Sequence, residues 1–213
     1  MKYGELPILV ETIELNQCRE MMFYQYLPIK LAGSVHYSYE RRLDYFIQII
    51  NVSVSDFIKQ FGFDEYCKSY VYVTAKNGWV SPIQSFNRPG YHSDGFMTND
   101  INYIWCDKFP TVFNTSLFDL TQDDSISLSE MESQALKHNE FQYKEFDLLR
   151  LNQFNIHKVC EISHGDFRTF LKVSFSKDKY DLIGNSHNYE IDYSWNMKPR
   201  NFERNIPQTE IKK

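Results

Sequence analysis

The feature that most limits how this chain can fold is a change in side-chain periodicity near residue 70. Before it, residues 38–50 (SYERRLDYFIQII) put Tyr39, Leu43, Phe46, Ile47 and Ile50 on one face of a helix, the spacing of an amphipathic segment. Ser53 followed by Asp56 reads as a second helix start, for 54–62. Beyond it, YVYVTA (70–75) and WVSPIQSF (79–86) are rich in β-branched and aromatic residues and flank Lys76-Asn77-Gly78. Asn-Gly between such runs signals a hairpin, and Pro82 pushes its second strand to an edge or a bulge. Ser129 and Glu132 form a capping-box pair that predicts a helix over about 128–138, with Leu128, Met131, Ala135 and Leu136 as its apolar stripe. Strand-like segments follow at 147–161, 167–176 and 188–195, with a turn at Ser163-His164-Gly165-Asp166. Helices first, then strands with one inserted helix, favour an antiparallel β core with helical support over an alternating α/β fold. The expectation is one domain over 1–213: helical support in 1–69, the β core in 70–195 and a polar tail in 196–213 carrying Pro199 and Pro207.

Composition excludes several classes of function. The chain has 213 residues, 42% hydrophobic, with 17 Phe, 15 Tyr and 3 Trp, enough apolar mass for a core and too much for disorder. The rings at Tyr70, Tyr72, Trp79, Phe86, Tyr91, Tyr103, Trp105 and Phe109 read chiefly as core. A net charge of −5 argues against general polyanion binding. Modification of a nucleotide or nucleic acid would need a local basic groove, from residues such as Arg41, Arg42, Arg88 and Lys108, and the charge balance does not indicate one. No secretory signal and no membrane-spanning run is apparent. Cys18, Cys67, Cys106 and Cys160 are scattered with no CxxC pair, as expected of reduced thiols in the cytoplasm. No P-loop, Gly-x-Gly-x-x-Gly, Gly-x-Ser-x-Gly or His-Glu-x-x-His motif is present, so nucleotide hydrolysis, dinucleotide redox chemistry, esterase and zincin chemistry lack their residues.

The informative residues are histidines. His92 and Asp94 lie two apart in Arg88-Pro-Gly-Tyr-His-Ser-Asp-Gly95, and in extended backbone residues i and i+2 share a face. His157 falls in a later strand-like run, and Arg168 follows just past the turn. Two histidines and one carboxylate on one face of an octahedron leave three positions open, which is the ligand set of non-haem Fe(II) oxygenases. An arginine nearby can hold a carboxylate by a paired, charge-assisted contact. Plainer readings exist for each residue. His92 alone fits a turn histidine, His157 a half-buried strand histidine, and Arg168 an ion-pair partner of Glu161 across a hairpin. Asp107, Asp119, Asp123 and Asp124 read as solvated loop carboxylates. His164 is a rival ligand, but it lies too close to Arg168 in the chain for both to enter a barrel.

Taken together, His92-Ser-Asp94, a long interval, His157 and then Arg168 resemble the Fe(II)/2-oxoglutarate-dependent dioxygenases, and Tyr91-His-Ser-Asp-Gly95 resembles their aromatic-His-x-Asp-Gly segment. The resemblance spans roughly residues 70–176. It implies a mainly β fold with supporting α-helices around a double-stranded β-helix of jelly-roll type. It implies Fe(II) bound by His92, Asp94 and His157, with 2-oxoglutarate held through its C5 carboxylate by Arg168. A second co-substrate contact would come from Thr111, with Asn102 and Tyr103 as alternatives. The activity implied is hydroxylation of a substrate coupled to decarboxylation of 2-oxoglutarate to succinate. The chain departs from the family at Phe170, where many members carry a hydroxyl two residues after the arginine. That departure motivates an alternative, a non-catalytic jelly-roll domain binding a small ligand or a partner protein. The substrate is not legible in the sequence.

Overall fold

The structure, a computed structural model, describes residues 3–85 and 87–200. Its strands are β1 (Ile8–Thr12), β2 (Met22–Lys30), β3 (Tyr70–Val80), β4 (Ile101–Cys106), β5 (Val112–Asn114), β6 (Glu140–Gln142), β7 (Asp147–Leu151), β8 (His157–Lys158) and β9 (Asp166–Ser176). Six form one antiparallel sheet in the order β1-β7-β4-β9-β3-β2, and three form a second in the order β6-β5-β8. The second sheet gains a short outer bridge, His92 to His157. The pairings are nested. β5 pairs with β6, β4 with β7, the His92 segment with β8, and β3 with β9. From β3 onward the chain steps between the two sheets as it goes. A long hairpin wound on itself in this way is a double-stranded β-helix, so the fold is mainly β and of jelly-roll type.

Side-chain alternation explains why the large sheet sits between two layers. On one face, Val71, Val73 and Ala75 of β3, Tyr103 and Trp105 of β4, and Leu171, Val173 and Phe175 of β9 are buried in one cluster with Leu43, Phe46, Ile49, Ile50 and Phe57. Those last residues come from a 3-10 turn at Arg41–Phe46 and from α1 (Ile47–Phe61), which with α2 (Phe63–Lys68) covers that face. The opposite face presents Ile104, Cys106, Leu149, Leu151 and Phe170 to Phe113 of the small sheet. A strand buried on both sides reads as a nearly continuous apolar run rather than an alternating one, and YVYVTA is such a run.

Several elements differ from the sequence expectation. Ile47 is exposed and Ile49 takes its place in the core, because the helix proper starts only at residue 47 after the 3-10 turn. Ser53 starts no new helix. It lies inside α1, fully buried, donating to Ile49 O at 2.8 Å, an i−4 bond that lets a serine ride in a helix interior. Asn77-Gly78 is not a turn but the middle of β3. Asn77 Nδ2 donates to Glu20 O (2.8 Å) and Cys18 O (3.2 Å), and its Oδ1 accepts from Thr169 Oγ1 (3.2 Å). These partners hold Asn77 straight against its turn propensity. Pro82 lies in the tight turn after β3, closed by Ser81 and Gln84. The inserted helix, α3, spans Asp124–Gln134, earlier than expected, and its cap is Asp123, which accepts from Ser125 N and Ile126 N.

Residues 1–69 are not helical support alone, since they also supply β1 and β2, the two edges of the large sheet. Residues 188–195 form no strand; they belong to an irregular strap over β2. Phe86 and most of the expected tail, with Pro207, lie outside the described residues. No helix among the described residues is long and apolar enough to cross a membrane.

Candidate metal centre

Backbone pairing brings the two histidines together. His92 N donates to His157 O and His157 N to His92 O, both at 2.9 Å. In such an antiparallel pair the two side chains emerge side by side on the same face, and the ring centroids are 4.5 Å apart. Asp94, two residues on, points the same way. The turn beyond it requires glycine. Gly95 has φ +73, and a Cβ there would lie 2.7 Å from Thr98 Oγ1. The segment is anchored from α3 and the small sheet. Glu132 accepts from Tyr91 N (3.0 Å), so it ties down the His92 segment rather than boxing its own helix, and Tyr91 OH donates to Glu140 (2.7 Å), which also accepts from Lys158 (2.7 Å).

One donor atom from each of His92, Asp94 and His157 falls within 4.8 Å of the others. Bonds of about 2.1 Å to a shared ion draw donors at right angles to within about 3 Å, so side-chain movements of about 1–2 Å close the set. The donors are prepared for it. His92 Nδ1 lies 2.9 Å from Gly90 O and His157 Nδ1 2.9 Å from Asn155 O. A carbonyl can only accept, so each ring carries its proton on Nδ1 and leaves Nε2 as the lone-pair donor, the tautomer a metal site needs. Burial, aided by the neighbouring His157, lowers His92 to about 3; burial also lowers His157. Both rings are therefore neutral near pH 7. Burial alone would raise the Asp94 carboxyl, but the Lys172 ammonium and the two rings hold it well below the usual carboxylate range. Asp94 Oδ1 lies 3.1 Å from Lys172 Nζ, and Oδ2 lies 3.8 Å from His157 Nε2. The donor set, two neutral imidazoles and one anionic carboxylate, suits a divalent transition metal.

These residues open on a cavity of about 790 Å³ between the two sheets, also lined by Thr111, Phe170, Lys76, Lys172, Tyr26 and Tyr180. Thr111, expected as a co-substrate contact, is on its wall; Asn102 and Tyr103 are not. Asn102 accepts from Ser174 Oγ (2.6 Å), and Tyr103 donates to Asp56 on the helical side of the sheet (2.8 Å). Arg168 is buried at 2% exposure but is not among the wall residues. It shares a strand face with Phe170 and Lys172, its guanidinium carbon is 5.2 Å from the Phe170 ring, and its Nε donates to Lys108 O (2.9 Å). Its Nη2 is buried with no hydrogen-bond partner among the described residues. Arg168 makes no ion pair with Glu161 among the described residues. His164 is exposed and bonded to Ser163, outside the centre. Asp123 is a helix cap rather than an idle loop carboxylate, and Asp107 accepts from Thr169 N (2.7 Å).

No protein-family model matches the chain, and a search of the curated proteins finds no relative of significant similarity. The sequence reading missed Lys172, Lys76 and Tyr26. The signal for Lys172 was present: it lies four residues after Arg168, on the same face of a strand. Tyr26 gave no signal, because its place depends on an irregularity in β2.

Proposed function

We propose that the protein is an Fe(II)- and 2-oxoglutarate-dependent oxygenase that hydroxylates a substrate admitted to the cavity. The observation that carries this reading is the convergence of one donor atom each from His92, Asp94 and His157 on one wall of a jelly-roll cavity, with both Nδ1 atoms already facing backbone carbonyls. Bound there, Fe(II) would supply the chelation of a 2-oxo acid and the activation of O₂. The chain's own residues do the rest. Gly90 O and Asn155 O fix the two rings. Arg168 supplies a buried guanidinium whose Nη2 lacks a partner among the described residues, a group suited to a carboxylate arriving from the metal side. Thr111 offers a hydroxyl on the wall, and the apolar Ile104 and Phe170 keep water from the reacting centre. Phe170 lines the cavity and Arg168 does not, so a carboxylate reaches Arg168 only if the lining moves. The test is anaerobic addition of Fe(II) and 2-oxoglutarate to metal-free protein. A weak visible charge-transfer band is expected, and His92→Ala or Asp94→Ala abolishes it; a band that survives both substitutions refutes the ligand assignment.

A second reading, a non-catalytic jelly-roll that binds a small ligand or a partner protein, draws on Phe170 standing beside Arg168 and on the ion pair of Lys172 with Asp94. Succinate release under air separates the two. An oxygenase consumes 2-oxoglutarate even without its substrate, at a slow rate that the binding domain lacks.

A further inference from the structure

Lys172 is a charged group at this centre that the ligand set does not use. Its side chain is 9% exposed and lies on β9 facing the cavity. Nζ donates to Asp94 Oδ1 at 3.1 Å and to Tyr26 OH at 3.2 Å. The carboxylate is thereby divided, with Oδ1 on the ammonium and Oδ2 turned toward His157. The placing of Tyr26 is built rather than incidental. Its φ is +46, left-handed backbone that a tyrosine adopts only under constraint. It sits where the pairing of β2 with β3 slips, between Tyr24 and Leu27. Its N–H donates to Thr74 Oγ1 (3.0 Å), and Thr74 is the register partner of Lys172. Ser186 clasps the neighbouring Gln25 from the other side, accepting from Gln25 N (2.9 Å) and donating to Gln25 O (2.7 Å). The Tyr180 ring stands edge-on to Tyr26 at 5.0 Å. The product of this bracing is a phenol oxygen held against Lys172.

We propose that Lys172, braced by Tyr26, is a positioning residue that confines Asp94 to a single metal-facing oxygen and so keeps the adjoining coordination position open for the co-substrate. The proposal rests on the oxygenase reading. A carboxylate free at both oxygens can grip a cation through both, which would fill a position that a chelating 2-oxo acid requires. One whose Oδ1 accepts a charge-assisted bond binds a cation preferentially through Oδ2. Lys172 acts through Asp94, not by touching the co-substrate.

The test loads wild type, Lys172→Met, Lys172→Arg and Tyr26→Phe with Co(II) as a spectroscopic probe, then titrates 2-oxoglutarate against the visible absorption. Lys172→Met is expected to bind Co(II), to show an altered spectrum before any 2-oxoglutarate is added, and to bind 2-oxoglutarate at least about tenfold more weakly. Lys172→Arg should recover most of both properties, and Tyr26→Phe should fall between. A Lys172→Met protein with wild-type spectrum and wild-type 2-oxoglutarate affinity overturns the proposal. So does loss of affinity with an unchanged Co(II) spectrum, which makes Lys172 a direct anion contact. Wild type that takes up no Co(II) removes the metal reading and this proposal with it, an outcome distinct from either of those. If Lys172→Met does not fold, Tyr26→Phe, which deletes one hydroxyl, decides by the same two readings.

Discussion

His92 and His157 face each other inside the protein, and neither can take a proton there cheaply. Burial, the larger cause, and the neighbouring ring hold His92 at about 3, while the same ring in the unfolded chain titrates near 6.5. Between those values the unfolded state binds more protons than the folded one, so stability rises with pH and falls as pH drops below about 6.5. Metal-free protein is therefore expected to lose roughly 1 kcal/mol through His92 between pH 7.5 and 5.5. His92→Asn should flatten that part of the dependence. Urea denaturation of both proteins at the two pH values is the check, and an equal loss of stability in both would contradict the neutral, half-buried ring. His92 and Asp94 were legible as a pair because i and i+2 in extended backbone share a face whatever surrounds them; His157 joined them only through the resemblance of the ordered pattern to a known family. The company they keep was only half legible. Phe170 and Lys172 both follow from the same alternation counted on from Arg168, but that Tyr26 reaches Lys172 depends on a contact between distant strands.

At the level of single elements, β3 shows where local signals mislead. Asn77-Gly78 carries strong turn propensity, yet the strand runs on through it to Val80, opposite β9 along its whole length. Tertiary partners override the local preference: the Asn77 amide serves two carbonyls of the segment before β2 and accepts from Thr169. Asn77 is 3% exposed, so Asn77→Ala leaves the Cys18 carbonyl and the Thr169 hydroxyl without a buried partner. The expected cost is about 1–3 kcal/mol, read as a lower urea midpoint with unchanged slope. A cost near zero would mean the amide is not what holds the strand through this point. The helices were legible in kind but not in extent. The apolar spacing of residues 38–50 marks an amphipathic segment, but nothing in it distinguishes a 3-10 opening from an α start. In α3 the true cap, Asp123, lies six residues before the apparent one at Ser129, whose hydroxyl bonds back to Ile126 O. β1 and β2 escaped notice because β1 is only five residues long, with Ile8 and Leu9 exposed, and Pro28 interrupts the run of β2.

Across the whole molecule, the nested pairing makes β9 the strand that joins β3 to β4, across the stretch of chain that winds between the two sheets. The chain then doubles back, and residues 178–200 strap the mouth of the cavity. Tyr180, Leu182, Asn185 and Pro199 line it from this strap. One buried side chain fastens the strap to the rest. Asn188, fully buried, donates from Nδ2 to Pro28 O and Ser38 O, both at 2.8 Å, and its N–H donates to Tyr193 OH at 3.0 Å. Pro28 belongs to β2 just beyond the bulge that carries Tyr26, so the same asparagine steadies the strap and the strand that aims Tyr26 at Lys172. Asn188→Ala leaves the buried Pro28 carbonyl, and the partly buried Ser38 carbonyl, without this donor and is expected to cost about 1–3 kcal/mol. The local effect is the sharper test. Hydrogen exchange followed by mass spectrometry should quicken across residues 182–197 and around Gln25 and Tyr26, while β3, β4 and β9 keep their protection. If exchange rises evenly through the barrel instead, the strap is part of the core's own cooperative unit. Its grip on the cavity mouth could not then be loosened without unfolding the centre it covers.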